Sequence, residues 1–531
     1  MASDQTWDII IVGTGAAALS TALSAATSTS SASPSPKILL IDKAPSSWAG
    51  GNGYFTAAAY RTAHNGLADL LPLVSNVDEE MKNKIDLPAY SEAEFLGDLE
   101  RVTGRRSDPT LGAFLVRESL DTVRWLKEVG GVEWWLSFRR QAYEVEGRWK
   151  FWGGLCLTVE EGGKGLIRAL LKAVEKVGCS VWYETGARRV LVDGEGRVGG
   201  VEIVGKDGAV VQLKAKAVVL CAGGFEASPK LRGEWMGKGW ELAHTRGTPY
   251  NTGDMLLEAI RLGAQRVGDF SPTGCHSVAW DADSPREGGD REKTNEFTKS
   301  GYPLGLMLNS EGRRFVDEGV DLRNYTYAKF GRAILEQPGG VAWQVWDREG
   351  QGWLRKEEYR DEIVRKTWAG SLEELAGKLE GEGLRDREGF VRTIGEYNAA
   401  VAAFGRENPG VKLNPAVRDG LSTQSNTKKL ELAKSNWALP IREPPFLAVK
   451  VTSGITFTFG GVKINPENAA VVREDGSEIE GLYCAGEMVG GLFYGNYPGG
   501  SGLTAGGVFG RRAGRAAVER VWRESGGKGR L

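Results

Sequence analysis

Gly13-Thr14-Gly15-Ala16-Ala17-Ala18 is the stretch whose residue types and spacing first point to chemistry. It follows a short Ile/Val run, Asp8–Val12, and opens an Ala- and Leu-rich segment. This is the strand–turn–helix order of a dinucleotide-binding unit in its G-x-G-x-x-A form. Gly13 permits the tight turn, Gly15 lets the backbone approach a pyrophosphate, and Ala18 is small enough for the helix to close on the strand. The helix start offers unpaired N–H groups and a positive dipole end to phosphate. Asp42 ends a second apolar run, Lys37–Asp42, where an acid accepts hydrogen bonds from ribose hydroxyls or simply caps a helix. It arrives later than the usual spacing of about 20 residues; the Ser/Pro-rich stretch Thr27–Pro36 accounts for the delay.

Composition limits the other chemistries. At 531 residues the chain exceeds a single core, so two domains are expected. A net charge of −2 gives no electrostatic case for nucleic acid or an anionic membrane. The five cysteines are scattered without CxxC or zinc spacing, and with three histidines a multi-histidine metal site is not expected. An odd number of thiols in apolar surroundings points to a reducing compartment, read as cytoplasmic. No apolar run approaches membrane-spanning length, and the N-terminus has no signal pattern. The final Gly529-Arg530-Leu531 resembles a peroxisomal tripeptide too weakly to count.

Other elements must position these groups. Ala49–Thr56 sets three glycines around Asn52, a chain able to lie flat against a planar or anionic ligand. Residues 91–130 and Gly165–Val177 read as helical, and residues 180–213 as a meander of strands. Ala217–Cys221 is a buried strand running into Ala222-Gly223-Gly224-Phe225, a second place where backbone meets a ligand. Asn251-Thr252-Gly253-Asp254 opens a helix. From 266 to 452 the Gly-rich turns stop and charged helices alternate with Trp-containing stretches. Gly454–Asn465 and Gly481–Ala485 read as strands, and Ser501–Ala517 as a last helix. The expected fold is therefore α/β: a split Rossmann-like domain, residues 1–265 and 453–531, around an inserted α+β capping domain, residues 266–452.

The ordered motifs GTGAAA, IDKAP…GGN, CAGGFE, NTGD, LNSEGRRFVDE, FGGVKIN and YCAGEMVGG…PGGSGLT resemble the FAD-dependent fumarate reductase and succinate dehydrogenase flavoprotein family across nearly the whole chain. Within it, GGNGYFTAAAYRTAHNGL, FRRQAYEVEGRWKFWGGL, GITFTFGG and LFYGNYPGGSGLTAGG look most like the tricarballylate dehydrogenase branch. The resemblance implies FAD held by the split domain beneath a capping domain. It implies Gly13, Gly15, Ala16 and Ala18 at the pyrophosphate, Asp42 and Lys43 at the adenosine ribose, and Gly50, Gly51 and Asn52 near flavin and pyrophosphate. Ala222, Gly223, Thr252 and Asp254 continue the cradle, Glu487 holds the ribityl chain, and Ser501, Gly502 and Leu503 start a helix facing the flavin pyrimidine. A helix N-terminus there stabilises negative charge. None of the histidines lies in the loop that carries covalently attached flavin in relatives, so non-covalent FAD is expected.

The chain departs from the fumarate-reducing members. Their His-Pro-Thr is Ser271-Pro272-Thr273, their histidine pair is Thr456-Phe457, and the arginine of their Asn-Arg-x-Gly-Gly is Tyr497. Their Thr-Glu-x-x-Arg proton relay is not recognisable. Arg323 survives, one residue out of register, and is the leading catalytic candidate: it can clamp a carboxylate bidentately. Since Arg hardly deprotonates, Tyr325, Tyr327 and Tyr497 compete as acid or base, with a surface ion pair to Asp317, Glu318 or Asp321 as the bland reading of Arg323. His276 binds a carboxylate or satisfies the core. Arg139, Arg140, Arg148 and Arg246 offer further carboxylate contacts, with a solvated face as their default. Tyr497-Pro498-Gly499 also resembles the Tyr-Pro-Gly of 3-ketosteroid dehydrogenases. The expected activity is dehydrogenation of a polycarboxylate such as tricarballylate, with electrons passed to an acceptor the sequence does not identify. A fumarate-reductase-like ene-reductase, a ketosteroid-type desaturase and a flavin-binding protein without turnover are the alternatives.

Overall fold

Strand β1 (Thr6–Val12), helix α1 (Ala16–Thr27) and strand β2 (Ile38–Ile41) form the expected opening unit in a computed structural model that describes residues 6–28 and 35–526. Part of the Ser/Pro-rich stretch and the C-terminal tripeptide lie outside the described residues. β1 is buried along its Ile/Val run and pairs in parallel with β2 on one side. Beyond β2 lies β3 (Ser180–Trp182), and on the other side of β1 lies β4 (Val210–Leu220). The hairpin Gly186–Val192/Val198–Val204 adds antiparallel to β4, completing the expected meander.

The second sheet has seven strands. Its members include β5 (Cys275–Asp281), β6 (Leu306–Asn309), β7 (Ala342–Trp346) and the 17-residue β8 (Phe446–Val462). β8 pairs with β7 through its first half and with β5 from Val451 to Thr458. The sequence ends the insert at 452, whereas β8 runs straight through that position. β5 and β7 both come from within 266–452, and a two-residue strand, His244–Thr245, joins β8 at Gly454 and Ile455 from before it, so the strand carries this sheet past 452. β9 (Glu478–Cys484) then returns to the first sheet parallel to β4.

The region 91–130 divides into three helices, Glu92–Val102, Pro109–Arg117 and Ser119–Glu128, with Asp108 capping the second. Further on come α2 (Asp254–Arg261), α3 (Tyr327–Leu335) and the last helix, α4 (Ser501–Glu524), longer than expected. α4 lies along α1 because Gly506, Gly510 and Gly514 recur on one face. A Cβ on Gly510 would sit 2.8 Å from the Ala17 carbonyl, and one on Gly514 2.5 Å from that of Thr21. This contact brings the N-termini of both helices to the same end of the sheet. Among the described residues, no helix is long and apolar enough to cross a membrane, and no cluster of His, Cys, Asp or Glu could hold a metal ion.

Candidate active site

The loops at the carboxyl ends of β1, β2, β4 and β9 converge on one cleft, about 1840 Å³ of empty space including its open mouth. This is where open parallel sheets bind nucleotides. Gly13, at φ +112°, forms its floor; a Cβ there would stand 2.4 Å from the Cys221 carbonyl. Across the turn, a Cβ on Gly51 would come within 3.6 Å of the Gly15 Cα. α1 and α4 begin at Gly15 and Gly500 without any side-chain cap, leaving N–H groups of their first turns for a ligand, although in α4 the Ser501 N–H already donates to the Pro498 carbonyl at 3.1 Å. Asp42 Oδ2 accepts from the Thr14 N–H (3.0 Å) and hydroxyl (2.5 Å), and Oδ1 from the Ala44 N–H (2.9 Å). These bonds tie the glycine turn to β2, while burial pushes the Asp42 carboxyl up. Lys43 Nζ reaches the Thr252 hydroxyl at 2.5 Å and pairs with Asp254, pinning the start of α2 to the end of β2.

Gly13, Gly15, Ala16, Asp42, Lys43, Gly51, Asn52, Ala222, Gly223, Thr252, Asp254, Glu487, Gly502 and Leu503 all line the cleft. Ala18, Gly50 and Ser501 are not among its lining residues. Ala18 is fully buried in the core. Gly50 is small for Ile167, whose Cγ2 would lie 2.6 Å from an added Cβ. The Ser501 hydroxyl turns back to the Pro498 carbonyl at 2.5 Å. At these three positions the need for a small or polar residue comes from packing or the backbone.

The inner end of the same cleft carries a different lining. β5 supplies His276, opposite Phe457 of β8 in the register. Arg323 and Asn324 come from the short turn Arg323–Tyr325, Tyr327 from the start of α3, and Tyr497 from the loop before α4. Arg246 follows the bridge strand His244–Thr245, its N–H bonded to the Ile455 carbonyl at 2.8 Å. Arg246 Nη1 donates to the Thr456 hydroxyl at 2.8 Å and Nη2 to Asn295 Oδ1. Arg323 donates to the Ser300 hydroxyl at 2.9 Å and to the Arg140 carbonyl. Both guanidinium groups thus have only neutral partners, and burial pushes Arg246 down to about 10. Neither Asp317, Glu318 nor Asp321 pairs with Arg323: Asp317 holds Ser435, Glu318 holds Arg314, and Asp321 holds Arg101.

Buried polar atoms without partners gather here: Gln141 Oε1, Arg246 Nε, His276 Nε2, Arg323 Nε and the whole Asn324 amide. A protein pays heavily for such atoms unless a ligand meets them. The Tyr327 and Tyr497 hydroxyls bond each other at 2.7 Å, and the His276 ring stands edge-on to both. Burial raises both phenols and, with the charge of Arg246, drives the His276 imidazolium well down, so His276 is neutral. Phe457, Phe459 and Phe493 pack around Tyr497.

Tyr325 is turned away from this group. Its hydroxyl donates to Asp98 at 2.5 Å and accepts from Arg61, itself fully buried between aromatic rings. His64 and His244 are buried and do not line the cleft; the Gly66 N–H donates to His64 Nδ1, and His244 bonds Ser284. Arg139 is exposed, and Arg148 pairs with Asp86. Arg140 reaches the cleft and pairs with the buried Glu358 at 3.1 Å. The sequence did not single out Asn324 or Asn295, although Asn324 adjoins Arg323.

Residues 77–503 match the family described as FAD binding domain. The chain belongs to this family. FAD is its cofactor, and the chain is an FAD-dependent oxidoreductase. It is 25% identical over 515 residues to the probable fumarate reductase Ifc3 of Shewanella frigidimarina, covering 97% of this chain and 75% of that one. It is 26% identical to the NADH:fumarate oxidoreductase of Klebsiella pneumoniae, of whose length it spans 48%. The open conformation of a flavocytochrome c3 fumarate reductase shares the fold, with a TM-score of 0.72 at 23% identity over 98% of this chain and 79% of that one. The cleft fits FAD: two helix N-termini without side-chain caps, a glycine floor without room for side chains, and polar side chains such as Asp42, Asn52, Thr252 and Glu487 in an otherwise largely apolar lining.

Proposed function

We propose that this oxidoreductase interconverts CH–CH and C=C bonds beside a carboxylate, with Arg246 and Arg323 holding the acid. The observation that supports this most directly is the pair of arginines lining this cleft, both with an unpaired Nε and neither with a carboxylate partner. Cations without a counterion, Arg246 buried and Arg323 half-buried, fit an anionic ligand with bidentate geometry. Two separate arginines suit a substrate with more than one carboxylate, such as tricarballylate. When bound, FAD would supply the two-electron chemistry, exchanging a hydride with the carbon β to the carboxylate while the α carbon exchanges a proton. Gly13, Gly15 and Ala16 would hold its pyrophosphate, Asp42 and Lys43 the ribose end, Glu487 the ribityl chain, and the start of α4 the ring. Non-covalent attachment is favoured because His64 and His244 lie off the cleft, and His276, which lines it, stands on β5 against Tyr327 and Tyr497, away from the glycine turns that would hold FAD.

The chain's own groups then divide the work. Arg246 and Arg323 orient the substrate and stabilise negative charge that develops beside the carboxylate. Arg323 is held by Ser300, which in turn donates to Glu358 at 2.5 Å, so its charge keeps one position. Tyr497 holds a proton at its phenol oxygen, oriented by Tyr327 and ready to meet the substrate carbon. His276, neutral, shapes the wall and offers Nε2 to a substrate oxygen.

The bonded Tyr327 and Tyr497 hydroxyls within an aromatic wall favour one second reading, a ketone polarised by Tyr497 as in ketosteroid-type desaturation. An anaerobic titration separates the two. Flavin bleaching by tricarballylate or succinate, or reoxidation of dithionite-reduced protein by the matching enoates, supports the carboxylate reading. Response to a 3-ketosteroid alone moves the function to the ketone reading. No response to either, with FAD retained, overturns both and leaves a flavin-binding protein without turnover.

A further inference from the structure

The parallel neighbours β4 and β9 end in loops that bring two acids together under the cleft. Glu226 follows the Ala222–Phe225 turn and is fully buried; Glu487 sits in the turn after β9, is half-buried and lines the cleft. Glu226 Oε1 accepts from Asn52 Nδ2 at 2.5 Å and from Asn251 Nδ2 at 2.6 Å. Glu487 Oε1 accepts from the Thr458 N–H at 2.7 Å and hydroxyl at 3.0 Å. Glu226 Oε2 meets no donor. The two carboxyls converge over Gly224, where an added Cβ would lie 2.2 Å from Glu487 Oε1 and 2.8 Å from Glu226 Oε2. Any side chain at 224 would drive them apart.

Neither acid has an ion-pair partner among the described residues. The cation coupled to Glu226 is Arg232, which spends its donors on the carbonyls of Glu226, Trp240, Glu241 and Ala243. Two ionised carboxylates in contact in so dry a place repel strongly, and the relief is to keep one proton between them. We propose that Glu226 and Glu487 share one proton, carried on Glu226 Oε2 and accepted by Glu487, so that the pair presents a single negative charge and a locked acceptor to FAD. This rests on the FAD placement given above. Glu226 is then a positioning residue: it orders Asn52 and Asn251 through one oxygen and Glu487 through the other. Asn52 also donates to the Thr456 carbonyl at 2.5 Å and accepts from the Thr248 N–H at 2.8 Å, so the order reaches the inner end of the cleft.

Burial, with the charge of Glu487 added, holds the Glu226 carboxyl well above its ordinary range, and burial also raises Glu487. Both shifts favour the protonated form, so the shared proton is held more firmly than on an ordinary carboxyl and is lost as pH rises. Its loss sets two anions against each other and loosens Glu487.

The test compares the wild-type holoprotein with Glu226→Gln, whose amide donates to Glu487 and accepts from the two asparagines as the protonated acid does. FAD release is followed by the fluorescence of freed FAD from about pH 6 to about pH 10. Infrared spectra in H2O and D2O are read on the holo and FAD-free forms of both proteins. The wild type is expected to release FAD roughly tenfold faster at the alkaline end, while E226Q keeps FAD with a flat profile. A protonated-carboxyl band present in the wild type is expected to vanish in E226Q. Superimposable release profiles, or no band lost on substitution, would overturn the shared proton. A wild type that never binds FAD but retains the band would overturn the cofactor placement instead.

Discussion

Arg246→Met offers the sharpest separation of a ligand-binding role from a structural one. The side chain is buried with neutral partners, so the folded chain holds an unpaired cation there, a costly arrangement when the substrate is absent. Methionine fills comparable space without the charge. Asn295 Oδ1 keeps its bond from the Thr298 hydroxyl at 3.0 Å, and the Thr456 hydroxyl can rotate to a new acceptor. Loss of the two donors and relief of the buried charge nearly offset, leaving stability within about 1 kcal/mol of wild type. Binding of a carboxylate behaves otherwise. A desolvated charge pair lost from one side costs about 2–5 kcal/mol; at about 3 kcal/mol, kcat/KM falls by roughly two orders of magnitude. The assay is stopped-flow flavin bleaching against carboxylate concentration, beside a thermal melt and the bound-FAD ratio. Arg246→Lys keeps charge without the fork and is expected to fall between. A kcat/KM within about threefold of wild type, or an activity loss that tracks a lower Tm and lost FAD, would refute the role.

Other outcomes follow from the same geometry. Tyr497→Phe removes the hydroxyl bonded to Tyr327; kcat should drop by about 10²–10³ with KM little changed if the phenol carries the proton, and single-turnover reduction measures this. Gly510→Ala places a Cβ 2.8 Å from the Ala17 carbonyl and should cost about 1–3 kcal/mol, read as a lower urea midpoint. Burial lowers both His64 and His244 to about 4, so each stays neutral in the fold and gains a proton on unfolding. The unfolded chain then binds more protons between about pH 4 and about pH 6.5, so stability is full above that window and falls as pH drops through it, by about 3 kcal/mol per histidine. Urea melts at both ends of the window check this, and His64→Asn should remove its share of the slope.

The nucleotide end of the cleft was legible because its demands are local. Gly13 needs a positive φ and the space beside the Cys221 carbonyl, and its position between an Ile/Val strand and an Ala-rich helix can be read along the chain. The substrate end was only half legible. Arg323 and Tyr497 stand out against family motifs, yet Tyr325, two residues from Arg323, turns to Asp98 because a short helical turn points alternate side chains apart. Arg246 looks like any charged residue on a loop; only the packing of β8 against β5 and the turn at Asn295 strips its water.

By itself the sequence determined the cofactor-binding unit, the order of its halves around an insert, and the last helix, whose approach to α1 only the structure shows. These rest on backbone constraints between near neighbours, such as a turn that only glycine makes and a strand of β-branched residues. Tertiary structure alone decided which charges lose their counterions. Arg246 and Arg323 are left with neutral partners because elements far apart in the chain close over them, while Arg314 and Arg101 keep their acids. Whether a charge is paired depends on every group within a few ångströms, whatever its distance along the chain, and on the water those groups exclude.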